Sequence, residues 1–243
     1  MFRIVSVLAV LALLATPAAA QFWMPVQNRE QSAPQSLSRT PEYETVHREK
    51  SGTAFFVDDS GDLLTARHAV DDCTRVIITK EGRAVAARVV ALSSRSDIAL
   101  IKVPRTLGLA AVFPQNVTAS ANDMVFVSAY DRLAGLKRGG TLANATVSGA
   151  PGSRETGYLA IDSDATFGAS GAPVLDGRGL VQGVISRRTT ATRVLAVDAA
   201  EAKAFLASNG IHFDEDDRSQ IAGAAPRADR AASISARVIC LQN

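Results

Sequence analysis

Three short segments carry the residue types that nucleophilic chemistry requires. His68 ends Leu64-Thr65-Ala66-Arg67-His68, Asp97 opens Asp97-Ile98-Ala99-Leu100, and Ser170 lies between glycines in Phe167-Gly168-Ala169-Ser170-Gly171. A serine hydroxyl is a weak nucleophile and needs an imidazole to take its proton as it attacks a carbonyl. The imidazole in turn needs a carboxylate to hold its tautomer and stabilise the imidazolium that forms. The tetrahedral oxyanion needs two donors, which a Gly-x-Ser turn can supply from the N–H groups of Gly168 and Ser170. Each residue alone has a plainer reading: a surface or core histidine, a strand-start cap, a turn serine beside glycine. Their coincidence in one chain is what points to acyl transfer.

The intervening sequence supplies elements able to position such a set. From Ser51 onward, short β-rich runs alternate with Gly, Asp and Ser turns, as in Thr53 to Val57, Arg75 to Thr79, Ala84 to Leu92 and Ile98 to Val103. Further runs at Val125 to Ser128, Thr141 to Ser148, Tyr158 to Ile161, Ala172 to Leu175, Leu180 to Ser186 and Arg193 to Val197 continue the pattern. Many short strands separated by turn residues predict an all-β sandwich or barrel. One helix is predicted at Ala199 to Ser208, with Asp198 as its N-cap and Asn209-Gly210 as its stop. It follows the strands instead of alternating with them, which argues against a doubly wound α/β fold. An α/β-hydrolase is also disfavoured, because its Gly-x-Ser-x-Gly motif would need Gly where Ala172 stands.

The three segments resemble those of the trypsin-like (chymotrypsin-fold) serine peptidases, whose histidine motif reads Thr-Ala-Ala-His and serine motif Gly-Asp/Asn-Ser-Gly-Gly. The Ser96-Asp97-Ile98-Ala99-Leu100 stretch resembles the bacterial HtrA/Deg-like members, and the likeness extends from Ser51-Gly52-Thr53-Ala54-Phe55 to Val181-Gln182-Gly183-Val184-Ile185-Ser186. The resemblance implies two six-stranded antiparallel β-barrels, followed here by the C-terminal helix, with the site in the seam between the barrels. It further implies His68 as general base, Asp97 as its orienter, Ser170 as nucleophile, Gly168 and Ser170 as oxyanion donors, and Ser186 as a hydrogen-bond partner of Asp97. Asp164 stands six residues before Ser170, the spacing at which trypsin carries the aspartate at the floor of its P1 pocket, so cleavage after Lys or Arg is one expectation. Arg187 and Arg188 follow Ser186 where the pocket wall would run, and Arg188 could neutralise Asp164, narrow the pocket or favour an acidic residue. Ala169 replaces the aspartate that zymogen-activated relatives use, which makes activation by N-terminal insertion doubtful. About 30 residues after Ile211 are too few for a PDZ domain.

Composition agrees with a folded globular domain, and the resemblance implies that its partners are protein or peptide substrates. The 243 residues carry 26 Lys+Arg against 24 Asp+Glu, so no concentrated basic character points to nucleic acid. Met1 to Ala20 has the Arg3 n-region, apolar core and Ala18-Ala19-Ala20 ending of a signal peptide, which predicts export to the periplasm or beyond and no membrane insertion after cleavage. Residues 21–50 read as a polar, flexible leader, 51–212 as the peptidase domain and 213–243 as a C-terminal tail. In an oxidising compartment Cys73 and Cys240 form the one possible disulfide. Three histidines and two cysteines never cluster at ligand spacing, so neither a metal nor a cofactor is expected. A catalytically silent domain of the same fold, serving as a binding module, is the alternative.

Overall fold

The computed structural model describes residues 48–116, 119–137, 144–149, 156–165, 167–221 and 227–243. The signal-peptide reading of residues 1–20 and most of the leader lie outside the described residues, although the last three leader residues already belong to a strand.

Alternation of side chains with period two builds the first half of the molecule. In β1 (Arg48–Phe56), Ala54 and Phe56 point into one core while Phe55 points out of it; in β2 (Asp62–Thr65), Leu63 points in and Leu64 out. In β5 (Ala99–Lys102), Ala99 and Ile101 point in and Leu100 out. Both sets are buried, because the outward set meets a second body instead of water. β3 (Arg75–Lys80) and β4 (Arg83–Leu92) form the predicted hairpin.

The sixth strand of this barrel is β14 (Ser235–Gln242), inserted between β1 and β3 in the closed order β1-β14-β3-β4-β5-β2. The reading of 213–243 as a tail is corrected here: β14 pairs with β1 from Ser235↔Phe55 to Gln242↔Arg48 and with β3 from Arg237↔Thr79 to Leu241↔Arg75. Its alternate residues Ala236, Val238 and Cys240 are fully buried. Cys240 is bonded to Cys73, with a Cα–Cα distance of 5.4 Å, so the strand is tied to the segment that follows the 3₁₀ turn Arg67–Ala69.

The second barrel closes in the order β10-β11-β12-β9-β8-β7. Its strands are β7 (Met124–Phe126), β8 (Asn144–Gly149), β9 (Tyr158–Asp162), β10 (Pro173–Leu175), β11 (Val181–Thr190) and β12 (Arg193–Asp198). Ile185, Val194 and Ala196 fill its interior; Val184 and Val197 face the seam with Phe55, Leu64 and Leu100. The two six-stranded barrels are those the sequence led us to expect.

Among the described residues, three helices pack against the core at the seam. α2 (Ala199–Ser208) lies where predicted, its Asp198 side chain accepting the Glu201 N–H at 2.8 Å. α1 (Tyr130–Lys137) and α3 (Arg227–Ile234) were not anticipated. α3 buries Ala228, Ala231 and Ile234, a spacing of three that puts them on one helical face. A short parallel pair, β6 (Val112–Phe113) with β13 (Asp214–Glu215), fastens the chain after α2 to the first barrel's exit segment.

Candidate active site

The three chemistry-bearing residues arrive from three chain segments at the seam. His68 sits in the 3₁₀ turn just after β2, Asp97 just before β5, and Ser170 in the turn before β10. Because β2 and β5 are paired through Thr65↔Ala99, their ends bring His68 and Asp97 together. The His68 Nδ1–H donates to Asp97 Oδ2 at 2.8 Å, and His68 Nε2 lies 3.0 Å from Ser170 Oγ.

Asp97 is held from every side. Its Oδ1 accepts the His68 backbone N–H at 3.0 Å, its Oδ2 accepts the Ser186 hydroxyl at 2.7 Å, and its own N–H donates to Tyr158 Oη at 3.1 Å. Burial pushes the carboxyl up, but the bonds from His68 and Ser186 outweigh it and leave Asp97 below the ordinary aspartate value. The carboxylate is therefore ionised at neutral pH and accepts from Nδ1–H, which leaves the Nε2 lone pair facing the Ser170 hydroxyl. This arrangement can take a proton from Ser170 as the oxygen attacks a carbonyl.

The turn carrying Ser170 exposes donors on one side and hides acceptors on the other. The carbonyls of Gly168, Ala169 and Ser170 accept from Thr53 Oγ1, the Ala172 N–H and the Thr53 N–H respectively, at 2.7, 2.8 and 2.8 Å. Among the described residues, no acceptor meets the N–H of Gly168 or Ser170. Gly168 has φ 86° and Gly171 φ 83°, values open to glycine at little cost. A Cβ on Gly171 would also collide with the Thr53 carbonyl and the Thr65 hydroxyl.

The model of the trypsin-like peptidase domain matches residues 52–184, more than half of the chain, a span that holds His68, Asp97 and Ser170. The chain belongs to the trypsin-like peptidase family. Within the family it is similar, at 30% identity over 87% of its length, to the uncharacterized protein y4bJ of Sinorhizobium fredii. It is 27% identical over 68% of its length to a Bartonella henselae protein named "Probable periplasmic serine endoprotease DegP-like". The alignments take in 36% and 32% of those two proteins, so the chain spans about a third of the curated relatives it matches. Two solved structures share the fold. The serine endoprotease of Yersinia pestis aligns with TM-score 0.54 at 22% identity over 65% of this chain and 57% of its own. The inactive form of Rv3671c from M. tuberculosis H37Rv aligns with TM-score 0.53 at 23% identity, covering 67% of this chain and 85% of its own.

Beside Ser170 lies a cavity of about 320 Å³. Its walls are Ala165, Ala169, Ile185 and Val194, with Arg187, Arg188 and Phe167 at its edge. Asp164, expected at the floor, is exposed to solvent and does not line this cavity; the neighbouring Ala165 is the buried residue that does. Alternation decides this, since adjacent residues of an extended segment face opposite ways. Arg188 is exposed and donates to its own hairpin at the Ala191 carbonyl, 3.3 Å away. Arg187 stacks its guanidinium over the Tyr158 ring at 5.8 Å. Phe167 is fully exposed and borders both this cavity and a second one of about 550 Å³, which is edged by Lys50, Asp131 and Arg237.

Two contributors escaped the sequence reading. Tyr158 appeared only as the start of a strand, yet its hydroxyl braces the backbone at Asp97. Thr53 lay inside a segment quoted for its family likeness, with nothing in the sequence to show that its hydroxyl reaches Gly168, 115 residues away.

Proposed function

We propose that this chain is an exported serine endopeptidase that cleaves proteins or peptides through an acyl-enzyme. The observation that carries the reading is the unbroken hydrogen-bond path from Asp97 through His68 to Ser170. Ser170 attacks the scissile carbonyl as His68 takes its proton, Gly168 and Ser170 N–H groups receive the oxyanion, and His68 returns the proton to the leaving amine. Water then repeats the sequence on the ester. Export is supported by the Met1–Ala20 pattern and by the periplasmic designation of the Bartonella relative. No described helix is long and apolar enough to cross a membrane.

A fluorophosphonate probe, which reacts with activated serines, is expected to label the wild-type protein and not the Ser170→Ala variant. Absence of labelling on folded wild-type protein overturns the reading in favour of a silent binding module.

The apolar walls of the 320 Å³ cavity support small aliphatic residues before the cut bond in place of Lys or Arg. A cationic side chain placed there without a counter-charge forfeits about 3 kcal/mol or more of solvation, which is a factor of about 100 or more in rate. In a peptide series, kcat/KM for Val or Ala is expected to exceed that for Lys or Arg by at least that factor. The Asp164→Asn variant is expected to keep the same order, and a collapse of Lys/Arg cleavage in it would restore the aspartate to the pocket.

A further inference from the structure

Thr53 is a buried side chain of the first barrel that grips the oxyanion turn of the second, and we propose that it is a positioning residue for catalysis. The inference rests on the peptidase reading and adds a residue to its machinery. Thr53 lies in β1, wholly buried, and each of its polar groups is committed. Its hydroxyl accepts the Tyr130 N–H at 3.0 Å and donates to the Gly168 carbonyl at 2.7 Å; its N–H donates to the Ser170 carbonyl at 2.8 Å; its carbonyl accepts the Thr65 hydroxyl at 2.8 Å.

The chemistry of these bonds fixes their direction. The Tyr130 backbone N–H can only donate, so it occupies a lone pair on Thr53 Oγ1 and leaves the hydroxyl proton for the Gly168 carbonyl. A peptide unit is planar, so a carbonyl held in place also fixes the N–H at its other end. Thr53 thereby pins the 168–169 and 170–171 peptides, the two units on either side of the 169–170 peptide whose N–H belongs to Ser170. The 168–169 unit also adjoins the peptide that carries the Gly168 N–H. With φ positive at both Gly168 and Gly171, this turn has the conformational freedom to rotate a peptide and withdraw a donor. Donors stabilise an oxyanion in proportion to how well they are held in place before the charge develops. The Thr53 N–H and the Ala172 N–H hold the Ser170 and Ala169 carbonyls through backbone. The threonine hydroxyl is the side-chain clamp on the 168–169 unit, and through Tyr130 it also fastens the first turn of α1 to the site.

Thr53→Val keeps the shape and β-branching and removes only the hydroxyl; Thr53→Ser restores the hydroxyl without the methyl. In the purified protein, Thr53→Val is expected to lower kcat and the fluorophosphonate labelling rate about tenfold to a hundredfold with KM little changed, less than loss of a direct oxyanion donor. Thr53→Ser is expected to stay within about threefold of wild type by the same measure. Amide hydrogen exchange across residues 167–172 is expected to accelerate in the valine variant alone. Equal labelling by wild type and Thr53→Val, or a serine variant as slow as the valine one, overturns the proposal. A wild-type protein that never labels overturns the peptidase reading instead. The exchange comparison then decides the positioning role: unchanged protection in Thr53→Val refutes it, and selective loss upholds the clamp.

Discussion

Replacing Asp97 with Asn is expected to lower turnover about ten-thousandfold while leaving the fold intact, the magnitude associated with this exchange in a serine–histidine–aspartate site. The reason lies in the direction of three hydrogen bonds. Asp97 Oδ2 accepts from both His68 Nδ1 and Ser186, and Oδ1 accepts from the His68 N–H. An amide offers one acceptor oxygen and one donor nitrogen, so it cannot satisfy all three. Where the amide nitrogen faces His68, the imidazole turns its lone pair to Nδ1 and carries its proton on Nε2. The base then has no lone pair for Ser170. Steady-state kinetics on a peptide substrate, beside circular dichroism of the same sample, reads both halves of the expectation.

The same carboxylate makes stability depend on pH in a fixed sense. Its folded-state value lies below that of the unfolded chain, with the lowering from His68 and Ser186 exceeding the opposing effect of burial. Its contribution is present above the unfolded-state value and disappears as pH falls through the folded-state value. Melting temperatures of the wild type are therefore expected to fall in that acid window, and those of Asp97→Asn to fall less.

Deleting residues 235–243 is expected to abolish the cooperative thermal transition as well as labelling of Ser170. Without β14 the first barrel loses the strand between β1 and β3, and with it the buried Ala236, Val238 and Cys240. Two long edges are exposed where a closed sheet had none, a state prone to aggregation. A segment that merely gated the cleft would behave in the opposite way, and its removal would raise activity. The double replacement Cys73→Ser with Cys240→Ser is the graded counterpart. The bond closes a loop with a sequence separation of 167 residues. Chain entropy then sets an upper estimate of about 5 kcal/mol for its contribution, less where the reduced chain stays partly ordered. Denaturant titrations of the three proteins should rank wild type above the serine pair and show no transition at all for the deletion.

The three segments that meet at the seam were legible because their residue types are local: a histidine at a strand end, an aspartate at a strand start, a serine in a glycine turn. The strands were legible as short β-rich runs set off by Gly, Asp and Ser turns, and the pair of six-stranded barrels followed from the family resemblance. What escaped the sequence depends on contacts between distant residues. β14 has the alternation of a strand in Ala236, Val238 and Cys240, but nothing local says that it belongs beside β1, nearly 190 residues earlier in the chain. For Asp164, spacing to Ser170 fixes a position along the chain and not which face of it turns inward, and the side chain is exposed. α1 and α3 were missed since each is two turns long, and short helices draw their stability from packing more than from propensity. Thr53 and Tyr158 act through one hydroxyl each, and a hydroxyl carries no mark in the sequence of what it will bond.

The position of β14 also governs when the site can come into being. A ribosome releases the chain from the N-terminus, and domains tend to fold as soon as their parts have emerged. Here the barrel that holds His68 and Asp97 lacks a stave until residues 235–242 have been made, long after Ser170 has appeared. A nascent or prematurely terminated chain thus holds all three reactive side chains and no closed barrel to align them. The order of synthesis itself keeps His68, Asp97 and Ser170 from being aligned until the last strand is made.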